Sequence, residues 1–212
     1  MLTRIKLAVL RMLSACNRLR LGRCGFSFGS GCLVSGMPFT KMARGSRVEL
    51  GNEVTLISNP RHNPLLSHPM AFRTLIPSAR IRLADHVGMS GCNLVCCNSI
   101  SIGEYTIVGP DTLIYDSEGH DYSPEIGWSG RGTRTGRPIT IGSKCFIGAR
   151  CIILSGVTIG DNCVVAAGTV VTQDIPAGHH ASGNPATYKP LPKMLGGPGR
   201  KKAATVDTAA AN

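Results

Sequence analysis

The chain has 212 residues, 26 of them Gly, and only 17 % carry a charge. That length yields one domain with room for a real core, and the sparse charge and many glycines suit an aliphatic interior with tight corners. The net charge of +11 is unevenly placed: residues 1–48 hold nine Lys or Arg and no acid, Glu49 being the first, and everything after adds only +2. The basic character belongs to an N-terminal arm and says little about the rest, and no nucleic-acid partner is expected.

That arm comes first. Leu2, Ile5, Val9, Met12, Cys16 and Leu19 recur at helical spacing, which predicts an amphipathic helix over residues 2–22 and a first region over 1–23. Arg4, Lys6, Arg11, Arg18 and Arg20 surround the stripe. The stretch is too short and too charged to span a bilayer. Leu13-Ser14-Ala15-Cys16 has the look of a lipoprotein cleavage box, but Arg11 leaves only Leu7 to Leu10 as an unbroken apolar run, too little for a signal core. Two readings stand for the helix: packing on its own domain or a neighbour, or peripheral contact of residues 1–22 with an anionic membrane.

Over residues 24–190 a different period takes over. From Ile141 an aliphatic residue returns at every sixth position: Ile147, Ile153, Ile159, Val165, Val171. Six fits neither helix nor strand and means a solenoid. Small residues follow the aliphatics (Gly142, Gly148, Gly160, Ala166), and four places on comes a second compact slot with Cys145, Cys151, Val157, Cys163 and Thr169. This is a hexapeptide repeat, three short strands to a triangular coil.

The phase runs backwards with interruptions. Leu50 and Leu56 form an early coil, followed by an excursion at 59–80 marked by Pro60, Pro64, Pro69 and Pro77. Leu83, Met89 and Val95 resume the repeat, with Val87, Asn93 and Ser99 in the compact slot. One extra residue shifts it to Ile102, Val108 and Ile114, with Thr106 and Thr112 in that slot. A second excursion spans 117–138, and loops of this length inside a compact domain are commonly functional. The expected architecture is an all-β solenoid of roughly five coils stacked about 4.8 Å apart, ending in a disordered tail over 191–212.

Nine cysteines raise zinc or disulfides, but no CxxC pair occurs. Three of them fill the compact slot, where they serve as small buried hydrophobes. No metal is expected, and nine thiols without a secretory framework fit a reducing cytoplasm.

The chemistry is sought where the repeat breaks. The long excursion opens with Asp116-Ser117-Glu118-Gly119-His120-Asp121-Tyr122. Here the chain resembles the hexapeptide acyltransferases, in particular the maltose, galactoside and polysaccharide O-acetyltransferase branch. Asp116-x-x-x-His120 carries the likeness. So do Arg137-Pro138-Ile139-Thr140-Ile141-Gly142, Phe146-Ile147-Gly148-Ala149, Gly156-Val157-Thr158-Ile159-Gly160-Asp161-Asn162 and Gly183-Asn184-Pro185-Ala186. The likeness covers about residues 45–190 and leaves both ends unexplained.

The resemblance implies a left-handed parallel β-helix, a cytoplasmic homotrimer and acetyl transfer from acetyl-CoA to a sugar hydroxyl, in surface polysaccharide biosynthesis. His120 is the implied general base. Neutral imidazole suits that task near neutral pH, and a thioester is activated enough to need no covalent enzyme intermediate. Asp116 or Glu118 is expected to fix the imidazole, and backbone amides at Gly148-Ala149 to face the oxyanion. For coenzyme A the resemblance implies Ala149, Ala167 and Thr172. Its usual phosphate-binding Lys and Arg are replaced here by Gln173 and Thr187, so Lys189, and after it Arg150, are the candidates. Ser90 falls where relatives place a sugar-binding residue.

Three other functions fit parts of the pattern. A xenobiotic (streptogramin or chloramphenicol) acetyltransferase uses the same histidine placement. A γ-type carbonic anhydrase needs three histidines at one zinc; His86 and His120 offer two, and Asp121 to Trp128 supplies no third. A non-catalytic solenoid would not need the histidine loop.

Overall fold

The computed structural model describes residues 2–129 and 135–192, with side chains from residue 11 onward except Asp121. Helix α1 (Leu2–Gly22) is followed by six three-strand coils. The first four are β1–β3 (Phe26–Phe28, Leu33–Ser35, Phe39–Lys41), β4–β6 (Arg47–Leu50, Thr55–Ile57, Ala71–Thr74), β7–β9 (Arg80–Leu83, Gly88–Ser90, Asn93–Cys96) and β10–β12 (Ser99–Ile102, Ile107–Val108, Leu113–Tyr115). A hairpin, β13 (Asp121–Ser123) and β14 (Gly127–Ser129), projects before the coils resume. They continue as β15–β17 (Ile139–Ile141, Phe146–Ile147, Ile152–Ile153) and β18–β20 (Thr158–Ile159, Val164–Val165, Val170–Val171). The chain closes with the antiparallel hairpin β21 (His179–Ser182) and β22 (Thr187–Pro190).

Like strands of successive coils pair in parallel and make three sheets, the faces of a prism: β1-β4-β7-β10-β15-β18, β2-β5-β8-β11-β16-β19 and β3-β6-β9-β12-β17-β20. They are called the first, second and third faces below. The hydrogen bonds run from coil to coil, as from Phe146 N to Cys163 O at 2.9 Å. This satisfies the backbone of strands only two residues long.

The hexad residues fill the interior. Ile141, Ile147, Ile153, Ile159, Val165 and Val171 are all at most 1 % exposed. Each such burial contributes about 1.5–3 kcal/mol. The compact slot does more than save space. Thr106 and Thr112 donate their hydroxyls to the Gly142 and Gly148 carbonyls of the next coil, at 2.7 and 3.0 Å. Cys145, Cys151 and Cys163 point their thiols at the Gly160, Ala166 and Pro176 carbonyls, each at 3.1 Å. Thr and Cys thus interchange as small donors that stitch coil to coil. Gly148 is fixed by stacking, since a Cβ there would lie 2.4 Å from the Ala167 amide nitrogen above it.

The structure departs from the expected phase in three places. Six coils stand where five were read, because Phe28, Val34 and Thr40 of the first coil keep the spacing of six with only one aliphatic among them. In β9 it is Leu94, not Val95, that points inward, stacked under Ile114; strand alternation therefore turns Asn93 out of the compact slot. The first excursion is shorter than expected: Ala71–Thr74 lies in register between β3 and β9. The tail beyond residue 192 lies outside the described residues.

Helix α1 seals the bottom of the prism. β2 is the end strand of its sheet, and its open edge is met by polar groups of the helix. Val34 N donates to Ser14 Oγ at 2.8 Å, and Asn17 Nδ2 donates to Val34 O at 3.1 Å. Leu21 is fully buried beside them.

Burial sets the thiol chemistry. Desolvation pushes Cys92 up to about 12 and Cys145 up to about 11, so both stay protonated at pH 8, while Cys16 is exposed. Iodoacetamide at pH 8 should label Cys16 in the native protein and spare Cys92, Cys145, Cys151 and Cys163 until denaturant is added. Rapid native labelling of any of those four, read by peptide mass, would contradict this packing.

Candidate active site

The second excursion leaves the prism at the edge where the third face meets the first, and its base is locked. Asp116 is fully buried. Its Oδ1 accepts from the Cys97 amide at 2.5 Å and its Oδ2 from the Asn98 amide at 2.7 Å, both on the coil below. Its carbonyl accepts from Arg137 N at 2.9 Å and from Ser155 Oγ at 2.8 Å, on the returning strand and the coil above. Ser117 bridges Gly136 across the neck. A Cβ on Gly136 would meet the Asp116 carbonyl at 2.6 Å and Cys97 Cβ at 2.9 Å, so the neck closes only on glycine. Burial raises the Asp116 carboxyl above its ordinary range, and the amide hydrogen bonds pull it back only in part.

Asp116 is therefore an anchor, with both carboxylate oxygens occupied by backbone amides. Glu118, the other expected partner of the imidazole, stands 3.8 Å from Arg137 across the neck, both side chains exposed. Such a pair contributes about 0–1 kcal/mol.

From this clamp the chain carries His120 into solvent, where its ring has no hydrogen-bond partner among the described residues. Directly beyond it, Tyr122 and Trp128 face each other across the hairpin with ring centroids 5.3 Å apart. They are 61 % and 74 % exposed. An accessible imidazole beside two open aromatic faces had no signal in the repeat, which marks this segment only as a break.

The other expected residues gather at the edge between the second and third faces. Pro110, Ala149, Arg150, Ala167 and Gly168 come from three successive coils and line a groove of about 480 Å³. Among the described residues the amides of Ala149 and Ala167 have no acceptor, whereas Gly148 N is spent on Val165 O at 2.8 Å. Of the expected oxyanion pair, only Ala149 has a free N–H. Ser90, at the end of β8, lies on this same edge.

The groove has a wall that sequence reasoning missed. The first excursion leaves the second coil at this edge and lies along it, placing Leu65 against the groove. Asp111 holds it there, accepting from Ser67 N at 3.2 Å and Ser67 Oγ at 2.6 Å. His68 and Arg150 stand 3.8 and 4.0 Å from the same carboxylate. A contact spanning 44 residues leaves no local trace in sequence.

Thr172 follows β20 at the top of the His120 edge, and Lys189 is exposed on the closing hairpin opposite His180. Within one chain, then, Ala149, Ala167 and Ser90 share one edge of the third face, while His120 and Thr172 share the other. His86, the second histidine of the carbonic anhydrase pattern, stacks on Tyr105 at the edge of the first and second faces. Among the described residues no three His, Cys, Asp or Glu side chains converge as metal ligands do.

Residues 138–173 match the family described as the hexapeptide repeat of succinyl-transferase. Nodulation protein L of Rhizobium meliloti is 41 % identical over 110 residues, which are 51 % of this chain and 58 % of that protein. A galactoside O-acetyltransferase of Lactococcus lactis is 36 % identical over 96 residues, 45 % of each chain. The chain thus matches about half the length of these curated relatives. Among solved structures, the N-acyltransferase AntD of Bacillus cereus, in complex with dTDP and 3-hydroxybutyryl-CoA, superposes with a TM-score of 0.60. It covers 84 % of this chain and 89 % of its own at 16 % identity, a likeness of fold. Residues 138–173 thus carry the hexapeptide repeat, and over about half its length the chain resembles nodulation protein L and a galactoside O-acetyltransferase.

Proposed function

We propose that the protein moves an acetyl group from acetyl-CoA to a sugar hydroxyl, with His120 as general base. The observation that carries this reading is the clamp of Asp116, which holds an accessible imidazole beside the open faces of Tyr122 and Trp128. Aromatic faces of this kind suit the apolar side of a sugar ring, and the imidazole suits a hydroxyl proton. The sugar oxygen attacks the thioester carbonyl as His120 takes its proton. When the carbon–sulfur bond breaks, the His120 imidazolium passes that proton to the departing thiolate. Asp116 acts as a positioning residue, holding both ends of the loop.

Acetyl-CoA enters this reading as co-substrate, supplying an already activated acyl group, so no metal is called for. The groove of Ala149 and Ala167 fits its pantetheine arm, with their free amides toward its carbonyls and Leu65 along its flank. Arg150, exposed at the groove, and Lys189 are the cations for its phosphates.

His120 and the groove stand on opposite edges of one face, about 20 Å apart along a strand rising some 3.3 Å per residue. One chain cannot close that gap. A homotrimer of parallel, left-handed prisms sets the His120 edge of one copy against the groove of the next, which is how we read the site. Galactoside acetylation by the Lactococcus relative supports the sugar acceptor, and a cytoplasmic role in surface polysaccharide assembly follows from that reading.

The test is release of free thiol from acetyl-CoA over a panel of saccharides. The expected result is release that depends on one class of saccharide. Release indifferent to every acceptor, or none at all, would defeat the proposal.

A further inference from the structure

Helix α1 is attached by its polar side. Ser14 and Asn17 bond the open edge of β2 and Leu21 is buried next to them. Met12 lies two residues before Ser14, about 200° around a helix, and Leu19 likewise precedes Leu21 by two. Both accordingly project away from the prism, at 61 % and 70 % exposure, with Leu13 at 53 % close by. The apolar stripe through Met12, Cys16 and Leu19 is the outward side of the helix rather than its packing side. Since the helix covers the bottom edge of the coil stack, that side faces away from the later coils that carry His120 and the groove.

The surroundings of the stripe are positive. Arg11 and Arg20 are exposed on the helix. At its C-terminal end Arg23, Arg44 and Arg47 line a concavity of about 510 Å³. None of these five has a salt bridge among the described residues, and the chain offers no acid before Glu49. A second copy of the same end would bring like charges together. A nucleic acid would answer the arginines and leave Met12 and Leu19 in water. An anionic bilayer answers both, taking apolar side chains below its headgroups and cations at the level of its phosphates. No described helix is long and apolar enough to cross a membrane, so α1 lies on the surface.

We propose that the outward face of α1, with the Arg23–Arg44–Arg47 concavity beside it, docks the protein on an anionic lipid surface. The inference is independent of the acetyl-transfer reading. It is tested by sedimenting the full chain with vesicles of phosphatidylcholine, alone or mixed with phosphatidylglycerol. The protein should pellet with the mixed vesicles at low salt and leave them as salt rises. Replacing Arg20→Gln and Arg23→Gln together should weaken binding about 30-fold, at roughly 1 kcal/mol per cation. The pair Met12→Gln and Leu19→Gln should abolish it while circular dichroism stays that of the parent, because both side chains are exposed. Equal pelleting of that pair and the parent, or no pelleting at low salt, overturns the proposal. So does loss of a larger oligomer in the same pair without vesicles, which would assign the face to a second copy.

Discussion

The His120→Ala variant should lose about 10²- to 10⁴-fold in kcat, the range measured for removal of a positioned general base. The ring has no structural bonds among the described residues to lose, so folding and oligomer mass should match the parent. KM for acetyl-CoA should hold as well, because the groove of Ala149 and Ala167 lies on the other edge of the third face. This separation gives a sharper arm. Ala149→Trp should block the groove while keeping the loop, leaving that variant nearly inactive too. If sites form between copies, random reassembly of the two variants in equal amounts should recover roughly a quarter of the parent activity, since each mixed trimer has one working site in three and about a quarter of the trimers are inactive homotrimers. Near-parent turnover of His120→Ala would remove the imidazole from the mechanism. No recovery in verified mixed trimers would place both edges of a site on one chain.

The second large effect is expected at Asp116. Truncation to Ala leaves the Cys97 and Asn98 amides buried without their acceptor. A buried donor so stranded costs about 1–3 kcal/mol, so a loss of roughly 2–6 kcal/mol is expected in urea unfolding. Asp116→Asn should fare little better, because one of its two positions would turn an N–H toward an amide N–H. Turnover should fall with the anchor while KM for acetyl-CoA holds, as the loop loses its fixed neck and the groove does not. An unchanged urea midpoint in Asp116→Ala would show that the clamp does not hold the fold as described.

The repeat was legible because an inward residue every sixth position is a pattern few other folds produce, and from Ile141 to Val171 every inward residue is where that pattern puts it. It blurred where chemistry and period part company. Thr40 and Phe28 hide the first coil, and Leu94 beside Val95 offers two aliphatics for one inward slot. His120 and Asp116 were legible as a break in the repeat, but not the direction of the Asp116 carboxylate, which depends on amides of the coil below. The Tyr122–Trp128 pair and the Leu65 wall rest on contacts formed only after the chain folds back. The α1 stripe shows the opposite failure. It was plain in sequence, and the usual rule would turn it inward. An open strand edge, however, presents N–H and C=O groups, which only polar side chains such as Ser14 and Asn17 can satisfy.

The central claim is acetyl transfer to a sugar, and the mass of the acceptor tests it most directly. Saccharides incubated with acetyl-CoA and the parent protein should yield one member heavier by a single acetyl group, with the matching sample from His120→Ala unshifted. A panel of free, nucleotide-linked and lipid-linked saccharides with no acetylated product, or the same product from both proteins, would contradict the account.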